Sequence, residues 1–155
     1  MSLHLGATHA GAIHAHLARA YPEEGCGVLL GRDEGARRIV EEVRVFENRR
    51  EDSRGNRYLI APEQLLEAER DARAAGRDVL GFYHSHPDHP ALPSAFDLEH
   101  AWPYYSYLIV SVQAGRVEDT RSWRLVADRS RFEPETLELD RAGTRGGRSP
   151  ETETP

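Results

Sequence analysis

Apolar residues in this chain fall into short runs, separated by stretches of charge, glycine or proline. The segment HAGAIHAHLARAYP, from His9, carries Ile13, Leu17 and Ala20 at helical spacing. Thr8 is its candidate N-cap, and Pro22 and Gly25 end it. GCGVLLG (25–31) is an apolar run between glycines and reads as a buried strand. RRIVEEVRVFEN (37–48) reads as a second strand, and the lapse in alternation at Glu41-Glu42 predicts a bulge. ENRREDSRG (47–55) has no apolar side chain, so a solvated loop is expected there, followed by a brief strand in RYLIAP (57–62).

PEQLLEAERDARAAG (62–76) is the clearest helix. Pro62 suits its first turn, Leu65, Ala68, Ala72 and Ala75 share one face, and Gly76 terminates it. DVLGFYHSH (78–86) is strand-like, with Pro87 expected to stop the ladder. SAFDLEHAW (94–102) reads as a short helix. SYLIVSVQ (106–113) and VEDTRSWRLV (117–126) read as paired strands about a turn at Ala114-Gly115, with one more strand possible at 131–139. The order α-β-β-β-α-β-α-β-β predicts an α+β fold, an α/β/α-like sandwich with a mixed sheet flanked by helices. One domain is expected over 1–139. The tail over 140–155, with AGTRGGRSPETETP beyond Asp140, is low in complexity and expected to be disordered.

With 155 residues the chain is long enough for one core, and 39% apolar and 30% charged residues are ordinary for a globular protein. A net charge of −6 argues against nucleic acid as a ligand. The lack of an apolar run of about 18 residues argues against a membrane span. The N-terminus lacks a signal-peptide pattern and Cys26 is the lone cysteine, so a cytoplasmic location is expected. All twenty basic residues are arginine, leaving no side-chain amine for isopeptide attachment.

Candidate chemistry gathers in GFYHSHPDHPALPSAFD (81–97). Residues i and i+2 of a strand share a face, so His84 and His86 aim two imidazoles at one point while Ser85 faces away. The stiff PDHPALP stretch then returns the chain so that Asp97, one turn into the next helix, can add an oxygen. Two histidines, one carboxylate and water make a catalytic zinc sphere with an open position. Ser94, three residues before Asp97, has its hydroxyl near that position; the same S-x-x-D spacing also describes a capping box. His14-Ala15-His16 is an internal control, an HxH without the later partners. It falls in an expected helix, where i and i+2 diverge. Cys26 sits in an apolar run and reads as a small hydrophobe rather than a nucleophile. G-x-G-x-x-G fails because position 30 is leucine, and a zinc deaminase would need C-x-x-C. His89 and His100 read as loop and helix-surface residues. Tyr58, Phe82, Tyr104 and Tyr105 read as core or rim.

HSH, seven residues, Ser, two residues and Asp resembles the motif of the JAMM (MPN-plus) zinc metalloproteases at His84, His86, Ser94 and Asp97. In that family a glutamate precedes the first core strand in a pattern like E-x-x-G-x-x-x-G. EGCGVLLG here carries that role to Glu24, with Gly27 and Gly31 at the glycine positions and Glu23 as the neighbouring alternative. The resemblance covers roughly residues 5 to 127. It implies a cytidine-deaminase-like JAMM/MPN fold and Zn2+ held by His84, His86 and Asp97. It also implies Glu24 as base toward the metal's water and Ser94 as donor to the oxyanion. It implies hydrolysis after the C-terminal Gly-Gly of a ubiquitin-like protein. Single-domain bacterial members resemble enzymes acting on small sulfur carriers, including removal of a C-terminal cysteine. The stretch between Trp102 and Ser106 is short beside ubiquitin-selective relatives, which favours a compact carrier. NRYLIAP is expected to offer a strand edge to the extended tail. The alternatives are a non-catalytic MPN-type binding scaffold and a hydrolase of unrelated small peptides. Arg145-Gly146-Gly147 echoes a carrier terminus, but its setting is that of a linker.

Overall fold

A computed structural model describes residues 1–46 and 60–140. The elements are β1 (Ser2–Leu5), α1 (Ala7–Ala20), β2 (Cys26–Asp33), β3 (Arg37–Phe46), α2 (Pro62–Ala74), β4 (Asp78–Pro87), α3 (Ala95–His100), β5 (Ser106–Gln113), β6 (Arg116–Leu125) and β7 (Phe132–Leu139). Half of the expected strand at 57–62, residues 57–59, lies outside the described residues, as does the tail beyond Asp140; Ile60 and Ala61 belong to no strand and Pro62 begins α2.

The sheet is mixed, in the order β1-β3-β2-β4-β5-β6-β7, and closes on itself. β2 lies antiparallel to β3 and β4, whereas β4 and β5 run parallel, joined across the segment that carries α3. Alternation along the strands sends side chains to two apolar clusters. Leu29, Tyr83, Leu108 and Val110 meet Ile13 and Leu17 of α1, and Val28, Phe82 and Tyr107 meet Ala68 and Ala72 of α2. Leu17, with no exposed surface, contributes about 1.5–3 kcal/mol by its burial. Helices thus flank both faces, as expected.

Closure is the departure from an α/β/α sandwich. The short β1, absent from the sequence reading, pairs in parallel with both β3 and β7 and joins the two ends of the sheet. Four residues, SLHL, are too few for periodicity to declare a strand; their partners are far away in sequence.

Local details refine other expectations. α1 begins at Ala7, with Gly6 rather than Thr8 as N-cap. Pro87 remains in β4, opposite Val112, because a parallel ladder on one side needs no amide from it at its last position. Ala75 lies past the end of α2 and is exposed, while Gly76, at φ +71, supplies the left-handed turn expected of it. The bulge at Glu41 is present: Leu30 pairs with Glu42 and Gly31 with Val40, leaving Glu41 as the extra residue.

Candidate metal centre

β4 runs through the middle of the sheet, laddered to β2 on one side and β5 on the other. Its alternation sends Phe82, His84 and His86 to one face and Tyr83 and Ser85 to the opposite one. His84 is fully buried and His86 nearly so. Their Nε2 atoms stand 3.2 Å apart.

Asp97 enters from α3 and is buried as well. Its Oδ1 lies 3.3 Å from His84 Nε2 and its Oδ2 3.1 Å from His86 Nε2. A tetrahedral ion with bonds of about 2.0–2.1 Å separates its donors by about 3.3 Å. The contacts are near that spacing, with Asp97 facing each histidine through a different oxygen, and these residues form the group among the described residues that could hold a metal ion.

Hydrogen bonding around the cluster orients its donors. His86 Nδ1 lies 2.8 Å from the Pro90 carbonyl oxygen. A carbonyl only accepts, so Nδ1 carries the hydrogen and Nε2 presents its lone pair to His84 and Asp97. His84 can meet that lone pair with a hydrogen on its own Nε2, or the two rings and Asp97 can face a shared cation.

The titration behaviour agrees. Burial drives the His84 imidazole down, against the pull of Asp97. Burial also opposes charge on His86, but the Asp97 carboxylate, the Pro90 carbonyl and Glu24 outweigh it and raise its pKa. Burial pushes the Asp97 carboxyl up. His84, His86 and the Ser94 amide together overcome that push and hold it well below the usual carboxylate range.

Ser94 caps α3. Its Oγ accepts from the Asp97 amide at 3.1 Å, and its own amide donates to Asp97 Oδ2 at 2.8 Å. The two readings of S-x-x-D therefore coexist, since the cap itself holds Asp97 in place. The cap uses the hydroxyl as an acceptor and leaves its hydrogen to donate elsewhere.

Glu24 is buried and lines the same cleft as His86, Ser94 and Asp97, whereas Glu23 is exposed. Its placement follows from the β2–β4 register. Cys26 pairs with His84, and Ser85 clasps Gly25 twice, its amide donating to the Gly25 carbonyl at 3.1 Å and its Oγ accepting from the Gly25 amide at 2.9 Å. One step further, Glu24 falls opposite His86 on the same face. Close strand approach requires the two glycines of EGCGVLLG. A Cβ at Gly27 would lie 2.2 Å from the Tyr83 ring, and one at Gly31 would lie 2.0 Å from the Ile39 carbonyl oxygen.

The control histidines behave as structural groups. His14 Nε2 contacts Thr120 Oγ1 at 2.9 Å and His16 Nδ1 contacts the Tyr83 hydroxyl at 2.8 Å. Cys26 is fully buried, and desolvation pushes its thiol up to about 12, which rules out a thiolate nucleophile. Phe82 is core and Tyr104 exposed, as expected, while Tyr58 lies outside the described residues. His100 stacks on Phe96 at the exposed surface of α3.

Two features escaped the sequence reading. His89, taken as a loop residue, lines the cleft, and no spacing rule singles it out. A second, apolar cleft of about 410 Å³ opens toward the C-terminal end of α3, between Ile60, Phe82, Trp102 and Tyr107. The cleft over the metal-ligand cluster, of about 450 Å³, opens toward the N-terminal end of α3.

A buried cluster of two histidines and one aspartate, built on a central strand of a mixed sheet and a following helix, could hold a metal ion. The family model for prokaryotic homologs of the JAB domain matches residues 6–126, and this chain belongs to that family. A desampylase of Haloferax volcanii is 42% identical over 91 residues, 58% of this chain and 63% of that protein. A CysO-cysteine peptidase of Mycobacterium tuberculosis is 31% identical over 116 residues, 74% of this chain and 77% of the relative. The solution structure of a protein from Desulfitobacterium hafniense superposes with a TM-score of 0.77 at 33% identity, covering 91% of this chain and 94% of the other. The match thus spans somewhat under two thirds of the desampylase's length. No helix among the described residues is long and apolar enough to cross a membrane.

Proposed function

We propose that this protein is a zinc metallopeptidase that cleaves the peptide or isopeptide bond after the C-terminal Gly-Gly of a small ubiquitin-like sulfur carrier. One observation carries the chemistry. Three buried side chains with metal-ligating atoms converge within reach of one ion, with a buried carboxylate, Glu24, in the same cleft. The names of the relatives, a desampylase and a CysO-cysteine peptidase, support the substrate class. The JAMM motif adds the Gly-Gly requirement.

His84, His86 and Asp97 would hold the zinc, three protein ligands being the number typical of catalytic sites. Bound there, zinc would supply Lewis acidity to activate water and polarise the scissile carbonyl. Glu24 takes the proton of the attacking water and returns it to the leaving amine. The Ser85–Gly25 clasp keeps that carboxylate in register with His86. Ser94 donates its hydroxyl hydrogen to the developing oxyanion while its lone pair continues to cap α3. No covalent intermediate is needed. The carrier tail approaches past Ile60 and Pro62, along the apolar cleft at the C-terminal end of α3. The reaction is assigned to the cytoplasm.

Zinc analysis and hydrolysis of a carrier–amino-acid conjugate test this together. Wild type is expected to bind about one zinc per chain and to release the leaving amine. His84→Ala loses the zinc. Glu24→Gln keeps it and loses about 10²–10⁴-fold in rate. A Glu24→Gln protein that hydrolyses the conjugate at the wild-type rate removes Glu24 as the base.

A further inference from the structure

We infer that His89 is a specificity residue that receives the α-carboxylate of the leaving group, so that the protein favours release of a C-terminal amino acid over cleavage of a side-chain isopeptide. The inference rests on the proposed peptidase reading, which supplies the leaving group. Its geometry is independent of that reading.

His89 sits on an exposed loop whose backbone is held from several sides. Its carbonyl accepts from Ser111 Oγ at 2.6 Å and from Gln113 Nε2 at 3.4 Å, and its amide donates to the His86 carbonyl at 3.4 Å. The preceding Asp88, at φ +59, is anchored in turn. Its amide donates to the Val112 carbonyl at 2.8 Å, and its carboxylate accepts from the Tyr21 hydroxyl at 2.7 Å and the Ala114 amide at 2.9 Å. A loop fixed this firmly sets the His89 backbone at a defined place beside the cleft that its side chain lines.

The imidazole itself takes part in no hydrogen bond among the described residues. The nearby Asp88 carboxylate is committed to Tyr21 and Ala114. A polar ring with no hydrogen-bond partner among the described residues has its donor available for a ligand. Among the described residues lining this cleft, His89 is the basic side chain that remains once His86 is assigned to the metal, and none is an arginine. Pro90, Leu92 and Phe96 complete the wall with apolar surface. An apolar wall with one imidazole donor fits a small amino acid with a free carboxylate. The aliphatic stem of a lysine joined to a second protein has no group for that donor. The direction of the substrate agrees: if the tail lies toward Ile60, at the C-terminal end of α3, the leaving group falls at the N-terminal end, where His89 stands.

Binding decides the matter without turnover. Acetyl-Gly-Gly-Cys and its C-terminal amide are titrated into zinc-loaded, full-length Glu24→Gln protein while the His89 ring resonances are followed by NMR. The acid is expected to bind at least about tenfold more tightly than the amide and to shift the His89 signals. In a His89→Ala background the acid falls to the level of the amide, and His89→Gln, which keeps an N–H donor, recovers part of the difference. Equal binding of acid and amide, or loss of both alike in His89→Ala, overturns the assignment. In turnover, wild type is expected to prefer a carrier–cysteine acid over the amide through KM. A wild-type protein that cleaves neither conjugate defeats the peptidase reading, while the binding result still decides His89.

Discussion

Replacing Ser94 separates two roles that one hydroxyl carries. As an acceptor, Oγ caps α3 through the Asp97 amide at 3.1 Å. As a donor, it is assigned to the oxyanion. Ser94→Ala removes both. Loss of the cap costs about 1 kcal/mol, which lowers the melting temperature of a domain this size by about 4 °C. Loss of the donor costs about 2.7–4 kcal/mol in the transition state, or about 10²–10³ in kcat. Ser94→Gly separates the two terms, because glycine at an N-cap costs only a few tenths of a kcal/mol. The glycine variant should therefore melt within about 1 °C of wild type and still be as slow as the alanine variant. Zinc content should stay at the wild-type level in both, since Asp97 keeps its bond from the residue 94 amide. Steady-state hydrolysis of a carrier conjugate, melting curves and metal analysis give the three numbers. A glycine variant within tenfold of wild-type kcat would refute the donor role. It would leave Ser94 as a cap alone.

Zinc should stabilise the fold, because its donors are brought together only in the native state. At a hundredfold excess over Kd the gain is about 2.7 kcal/mol, or about 10 °C in melting temperature, and His84→Ala should abolish it; an unshifted wild-type melt contradicts the assembled site. Cys26, with burial pushing its thiol up to about 12, stays protonated at pH 8. Folded protein should therefore resist iodoacetamide at pH 8 and react readily in denaturant, and rapid labelling of the native state would contradict its burial.

The candidate metal ligands were legible in the sequence because their spacing is local. His84 and His86 follow strand alternation, and Ser94 and Asp97 share one turn of helix. Glu24 lies sixty residues away. No periodicity connects it to His86, so only the glycine pattern pointed to it, and the structure explains that pattern through the Tyr83 ring and the Ile39 carbonyl. β1 was illegible because SLHL is four residues long and both of its ladders are formed with distant strands. The Gly6 cap makes no side-chain hydrogen bond, so nothing chemical marked it in place of Thr8. His89 had no signature because its place depends on how β5 grips the loop, which is a tertiary fact.

The irregular pairings on either side of β2 occur at one level. β3 contributes its extra residue at Glu41, and β4 contributes Leu80, skipped where Leu29 pairs with Gly81 and Leu30 with Val79. A bend concentrated there lets the sheet curl toward closure while Cys26 through Leu29 keep an unbroken match to His84 through Gly81. The cleft around Arg38 and Asp78 thus lies at the opposite end of β4 from His84 and His86, with the bend between them.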